Sequence, residues 1–178
     1  MTDPLFLMSD AALSCLTMAV TGNPGAPGVI CFRVGMEIIH DLDMFGDLCC
    51  TGLGYVTLGD TWASSASFPE QDIVRQANTV CAPPAWGQTV KMGIVRCVPV
   101  MGEQGSMPTC QEYTDAHTQN VYDSISLRRA ACCLRTWVQT NMLGMSVVIQ
   151  RQTQGPPLGG CVERSVTVDI QFPNCDCV

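Results

Sequence analysis

Charge is scarce in this chain. Asp, Glu, Lys and Arg make up 14% of its 178 residues, against about a quarter in an ordinary soluble domain. A monomer so thinly charged leaves apolar surface uncovered, and some of that surface is expected to be buried against other subunits. Lysine is nearly absent, with Lys91 alone beside eight arginines, and the formal net charge is −7. An acidic chain lacks the cations that displace counterions from a phosphate backbone, which argues against a nonspecific DNA clamp. The excess of Arg over Lys has no structural cause and points to GC-rich coding. No run reaches the ~18 apolar residues of a membrane span. The start, Met1-Thr2-Asp3-Pro4, lacks the basic residues of a signal peptide, although Leu5-Phe6-Leu7-Met8 is apolar. Synthesis in a reducing cytoplasm is therefore expected, where stable disulfides are uncommon.

The motifs of common catalytic sites are also missing. There is no Gly-x-Ser-x-Gly, no P-loop and no dinucleotide fingerprint. Gly52-Leu53-Gly54 lacks a third glycine and a following helix, and reads as a turn. Histidine is limited to His40, among the acids Asp41 and Asp43, and His117, expected on a helix surface. Neither sits beside a cysteine in a way that marks a nucleophile and its base. No catalytic residue, metal ligand or cofactor site is assigned.

What the chain does have is cysteine, twelve in all. Structural zinc needs Cys-x₂₋₄-Cys, so that one turn presents two thiolates to one ion. No such pair occurs. Cys49-Cys50 and Cys132-Cys133 are adjacent, which on a strand points them to opposite faces and on a helix about 100° apart. Cys175-Asp176-Cys177 puts two sulfurs on one side of a strand but needs two more ligands. Most of the cysteines are expected to be free and to fill small gaps between helices and sheet. A particle that leaves the cell can oxidise neighbouring thiols. The terminal Cys175 and Cys177, with Cys161 as a neighbour in the fold, are the expected participants.

The order of elements is helix, strands, long helix, hairpin. Asp3 caps a first helix with Pro4 at its first position. Phe6, Met8, Ala12, Cys15, Leu16 and Ala19 form its apolar face, and Gly22 with the Pro/Gly run 23–28 ends it. Strands are expected at 29–34, at 55–58 between glycines, and at 89–98. In the last of these Val90, Met92, Ile94, Arg96 and Val98 share one face, and Lys91, Gly93, Val95 and Cys97 the other. Residues 36–47 are ambiguous, and 60–86 read as a long loop of the kind that serves as an interface arm. Thr109-Cys110-Gln111-Glu112 is a capping box. The helix it opens carries Tyr113, Ala116, Val121, Ser124, Leu127, Ala131, Leu134 and Val138, reaches about residue 140, and spans roughly 45 Å. Arg128, Arg129 and Arg135 lie in its C-terminal half, where they read first as solvated cations near the helix end and second as a nucleic-acid or subunit contact. A hairpin of 145–152 and 162–172 closes the chain, with Val166, Val168, Ile170 and Phe172 inward and Ser165, Thr167, Asp169 and Gln171 outward. The fold class is α+β: one domain over 1–178, a mostly antiparallel sheet packed by an N-terminal and a long central helix, with a C-terminal β-hairpin.

These words, in order, resemble the neck proteins of long-tailed bacteriophages that infect actinobacteria, of the tail-terminator or head-to-tail connector kind. The resemblance is carried by Asp41, Cys49-Cys50-Thr51-Gly52, Tyr55-Val56, Ser65 with Phe68-Pro69, and Cys81 with Trp86. It continues in Met92-Gly93-Ile94-Val95-Arg96-Cys97-Val98-Pro99, Pro108-Thr109, Asp123 with Ala130-Ala131-Cys132-Cys133, Gly159-Gly160-Cys161 and Cys175-Asp176-Cys177. Arg164 departs from the pattern, standing where an aromatic is usual. The resemblance implies a structural virion protein of the tail and neck, assembled in the host cytoplasm, with no enzymatic activity. It implies a hexameric ring that ends the tail tube and joins it to the head connector, with DNA passing an acidic lumen in transit. Its partners would be further copies of itself, the tail tube protein and the connector proteins. A head-to-tail stopper or adaptor ring is the alternative within this class, although those tend to be smaller barrels with less helix. A cysteine-rich metal-binding or redox protein is the alternative outside it.

Overall fold

Asp3 opens the first helix, α1 (Pro4–Val20), by accepting a hydrogen bond from the Leu5 amide at 2.8 Å. The helix ends at Thr21, and Gly22 follows at φ +81°, a conformation that glycine adopts without a Cβ penalty. Asn23 then reaches back to the Ala19 carbonyl at 3.1 Å and across to the Ser126 hydroxyl at 2.7 Å. The chain turns into β1 (Val29–Phe32), followed by β2 (Leu53–Ser64), β3 (Ala85–Cys97), α2 (Cys110–Asn141), β4 (Ser146–Gln154) and β5 (Cys161–Phe172). This computed structural model describes residues 3–35, 50–64, 67–71, 85–101, 105–142, 144–157 and 160–172. The expected segment 36–47 and the tail cysteines lie outside them.

The strands form one five-stranded sheet in the order β1-β2-β3-β5-β4. Only the β1–β2 pair is parallel; β2–β3, β3–β5 and β4–β5 are antiparallel. The α+β class is therefore as expected. Two boundaries are not. The second strand runs through Gly54 and Gly59 to Ser64, with a register shift between Leu58 and Thr61, and β3 begins already at Ala85. The two ends of the stretch that reads as loop, 60–64 and 85–86, are thus the end of one strand and the start of the next. Glycine suggests a break in a single segment, but cross-strand pairing, here Gly54 with Ile94, overrides that local signal.

Both helices pack on the same sheet face. The core joins Met8, Ala12, Cys15 and Leu16 of α1 to Leu127, Ala131, Leu134 and Val138 of α2 over Val90, Met92, Ile94, Val166, Val168 and Ile170. The alternation in β3 and β5 is what places these side chains together, because register pairs Val90 with Val168 and Met92 with Val166. The helices run antiparallel: residue 15 is joined to 133, 23 to 126, and 25 to 119. Phe6, Tyr113 and Val121, expected on the apolar faces, are instead exposed.

The capping box forms as the sequence predicts. Thr109 accepts from the Glu112 amide at 3.2 Å, and Glu112 accepts from the Thr109 amide at 2.7 Å. The Thr109 amide, and after it the Thr109 hydroxyl, donate to the Glu112 carboxylate and hold it below the ordinary carboxylate range. The 32-residue α2 is about 48 Å long. Its first fully buried side chain is Asp123, and residues 110–115 at its start are exposed.

The opposite sheet face is buried too, which corrects the outward assignment of Ser165 and Asp169. Asp169 accepts from Thr89 at 2.9 Å and from Gln150 at 2.7 Å. Gly93 is the key to this face. It pairs directly with Tyr55, whose fully buried ring lies across it. The missing side chain leaves a slot in which the Tyr55 hydroxyl donates to Glu163 and the Lys91 ammonium sits 2.5 Å from the same carboxylate oxygen. Lys91 also lies 5.7 Å from the centre of the Tyr55 ring. Burial, reinforced by the Glu163 charge, pushes the Tyr55 phenol far above its ordinary range, so it stays protonated and acts as a donor. A Cβ at residue 93 would overlap the ring, which is fully buried. Gly93→Ala is expected to destabilise the fold by about 1–3 kcal/mol, the usual cost of overpacking. Chemical denaturation of the two proteins measures it, and equal midpoints would refute the assignment.

Candidate binding pocket

The described residues contain no group of three His, Cys, Asp or Glu placed to hold a metal ion. The cysteines do something else. Cys15 of α1 is disulfide-bonded to Cys133 of α2, and Cys50 to Cys97 at the end of β3. Cys161 is disulfide-bonded as well. Among the described residues Cys31, Cys110 and Cys132 are free. The expectation of mostly reduced, gap-filling cysteines is therefore corrected. Cys15 does fill the space between helix and helix, but as half of a bridge. The expected role of Cys161 as a partner in oxidation holds, whereas Cys175 and Cys177 lie outside the described residues. The adjacent pair Cys132-Cys133 behaves as helical geometry requires: about 100° apart, one thiol faces solvent and the other faces α1.

A concave site lies where the C-terminal end of β3 meets the N-terminal half of α2. It encloses about 610 Å³. Ile94, Val98, Pro99, Val162 and Tyr113 supply apolar wall, and the Cys50–Cys97 bridge lines one side. Its polar part is built on two arginines from adjacent strands. Arg96 continues the helix-facing row of β3 and meets Asp123 of α2 in a fork, Nε to Oδ2 at 2.9 Å and a terminal nitrogen to Oδ1 at 2.8 Å. Gly52, at φ +82°, admits this arginine, since a side chain there would overlap the guanidinium. Arg164 of β5 donates to Asn120 Oδ1 at 2.6 Å and to Gln154 Oε1 at 2.5 Å. Asn120 in turn donates to Gln154 at 3.1 Å, so the three side chains hold one another. His117, exposed on α2, stands at the rim.

Among the described residues that line it, no cysteine thiol is paired with a base. The two cysteines at the pocket are joined as a disulfide, so His117 has no thiol there to activate. Arg128, Arg129 and Arg135 are exposed on α2 and do not line the pocket, in keeping with their reading as solvated cations. The roles of Arg96, Asp123 and Arg164 were not read from the sequence. One signal was present: Asp123 lies in helical phase with Ser126, Leu127 and Ala130, the inward side of α2, where a carboxylate needs a cation.

Comparison with protein-family models gives no match for this chain, and comparison with curated proteins gives none either. No described helix is long and apolar enough to cross a membrane.

Proposed function

We propose that the chain is a structural ring subunit of a bacteriophage neck, of the tail-terminator kind. In this role it ends the tail tube, joins it to the head connector and lets DNA pass through the lumen. Beyond the order of its sequence words, one observation carries the reading. Nine of the thirteen exposed large apolar side chains among the described residues fall into two separate groups. Phe6, Phe32, Val34 and Leu58 gather where the start of α1 meets the β1–β2 edge. Val100, Met101, Met107, Tyr113 and Val121 follow the end of β3 and occupy the start of α2. The strand register separates these groups, since Leu58 pairs with Val90 midway along β3, whereas Val100 and Met101 lie beyond its last residue, Cys97. Two different sticky surfaces on one subunit favour head-to-tail contacts, which close into a ring when the rotation allows.

The disulfides fit the same reading. A virion leaves the reducing cytoplasm, and bridges that form afterwards persist. The long α2 favours a terminator over a stopper, which is expected to carry less helix. Electron microscopy of purified protein and of virions tests the proposal: rings seated at the tube end are expected. Phe6→Glu and Val121→Glu, placed in the two groups, are each expected to shift the assembled species toward monomer in sedimentation. A stable monomer in the virion would sink the reading.

A further inference from the structure

The pocket between β3, β5 and α2 holds more positive charge than its protein partners cancel. We infer that it binds a small organic anion, a phosphate or carboxylate head carried on an apolar body. The charge accounting is direct. Arg96 is neutralised by Asp123. Arg164 is held by two amide oxygens, those of Asn120 and Gln154, and both are uncharged. No carboxylate of the described residues pairs with it. Its half-buried guanidinium is thus fixed in direction with its charge unspent, in a chain whose net charge is −7.

Keeping such a cation partly out of water is unfavourable unless an anion meets it. Guanidinium presents its N–H groups in a planar fork that matches the oxygens of phosphate and carboxylate. Only part of that fork is used by Asn120 and Gln154. His117 also lines this space. The remaining walls, Ile94, Val98, Pro99, Val162 and Tyr113, suit an apolar body attached to the head. The amides of Asn120 and Gln154 fix the arginine before any ligand arrives, which lowers the ordering cost of binding. This inference stands apart from the neck reading and does not require a ring.

Calorimetric titration with inorganic phosphate and with phenyl phosphate tests it. Saturable binding of both is expected, tighter for phenyl phosphate because the apolar walls add to the contact. Arg164→Gln is expected to weaken both roughly tenfold to hundredfold, the range for losing hydrogen bonds to a charged group. Arg128→Gln, on the exposed face of α2, is expected to leave both unchanged. Should Arg164→Gln fail to fold, Arg164→Lys keeps the charge, loses the fork and is expected to weaken binding severalfold. No saturable binding to the unsubstituted protein would overturn the inference. So would an affinity that Arg164→Gln or the folded Arg164→Lys leaves unaltered.

Discussion

Asp123→Ala is expected to destabilise the protein by about 3–5 kcal/mol, the cost of stranding one partner of a buried ion pair. Arg96 and Asp123 are both close to fully buried, with side-chain exposures of 13% and 5%. Their two-point geometry satisfies both carboxylate oxygens at once. Removing the carboxylate leaves a guanidinium enclosed beneath Gly52 with no counter-charge from Asp123. For a chain of this length the loss corresponds to a drop in melting temperature of roughly 10 °C. The companion variant separates charge from shape. Arg96→Met combined with Asp123→Leu removes both charges and keeps apolar volume, and is expected to recover most of the loss. If the double variant is as unstable as Asp123→Ala, the pair matters through packing and not through charge.

Removing the Cys15–Cys133 bridge is expected to cost a similar amount. It joins residues 118 apart in sequence, and the chain-entropy model assigns such a loop about 5 kcal/mol. The Cys50–Cys97 bridge spans 47 residues, for which the same model gives about 4 kcal/mol. Exposure orders them the other way in reactivity. Cys50 is exposed, whereas Cys15 is 3% exposed and lies in the core between the helices. Mild reductant on the folded protein is expected to open Cys50–Cys97 first and to leave Cys15–Cys133 until the fold opens. Alkylation followed by mass mapping reads both steps. Finding all twelve cysteines alkylated in the oxidised, folded protein would remove the bridges altogether. The Cys15→Ala, Cys133→Ala double variant, compared by denaturant midpoint, supplies the magnitude.

The helices were legible because their signals are local. Asp3-Pro4 and Thr109 with Glu112 fix the two starts within a few residues, through hydrogen bonds that the chain makes to itself. The face of β3 bearing Val90, Met92 and Ile94 was legible from alternation alone. Strand length was not. Gly54 and Gly59 interrupt the alternation of β2; the partner strand carries the ladder through Gly54, and the register shifts at Gly59 before pairing resumes at Thr61. The polar face of β5 was misread because Ser165 and Asp169 look like solvent residues. They are buried donors and acceptors, satisfied by Thr153, Thr89 and Gln150.

The candidate site was the least legible part, for one physical reason. Arg96, Asp123 and Arg164 come from three elements, and no spacing within any one of them marks a pocket. Their meeting depends on the β3–β5 register and on the placement of α2 over those strands. The same holds for cysteine. Composition shows twelve thiols and spacing argues against zinc, yet pairing is a matter of distance in space. Antiparallel packing of α1 on α2 is what brings Cys15 to Cys133, and Cys132, one residue away, is turned to solvent. Capping, periodicity and charge are properties of neighbours along the chain, so they reveal the elements and the class of fold. Bridges, the Arg96–Asp123 pair and the unspent charge of Arg164 are properties of neighbours across it, and only the packed structure decides them.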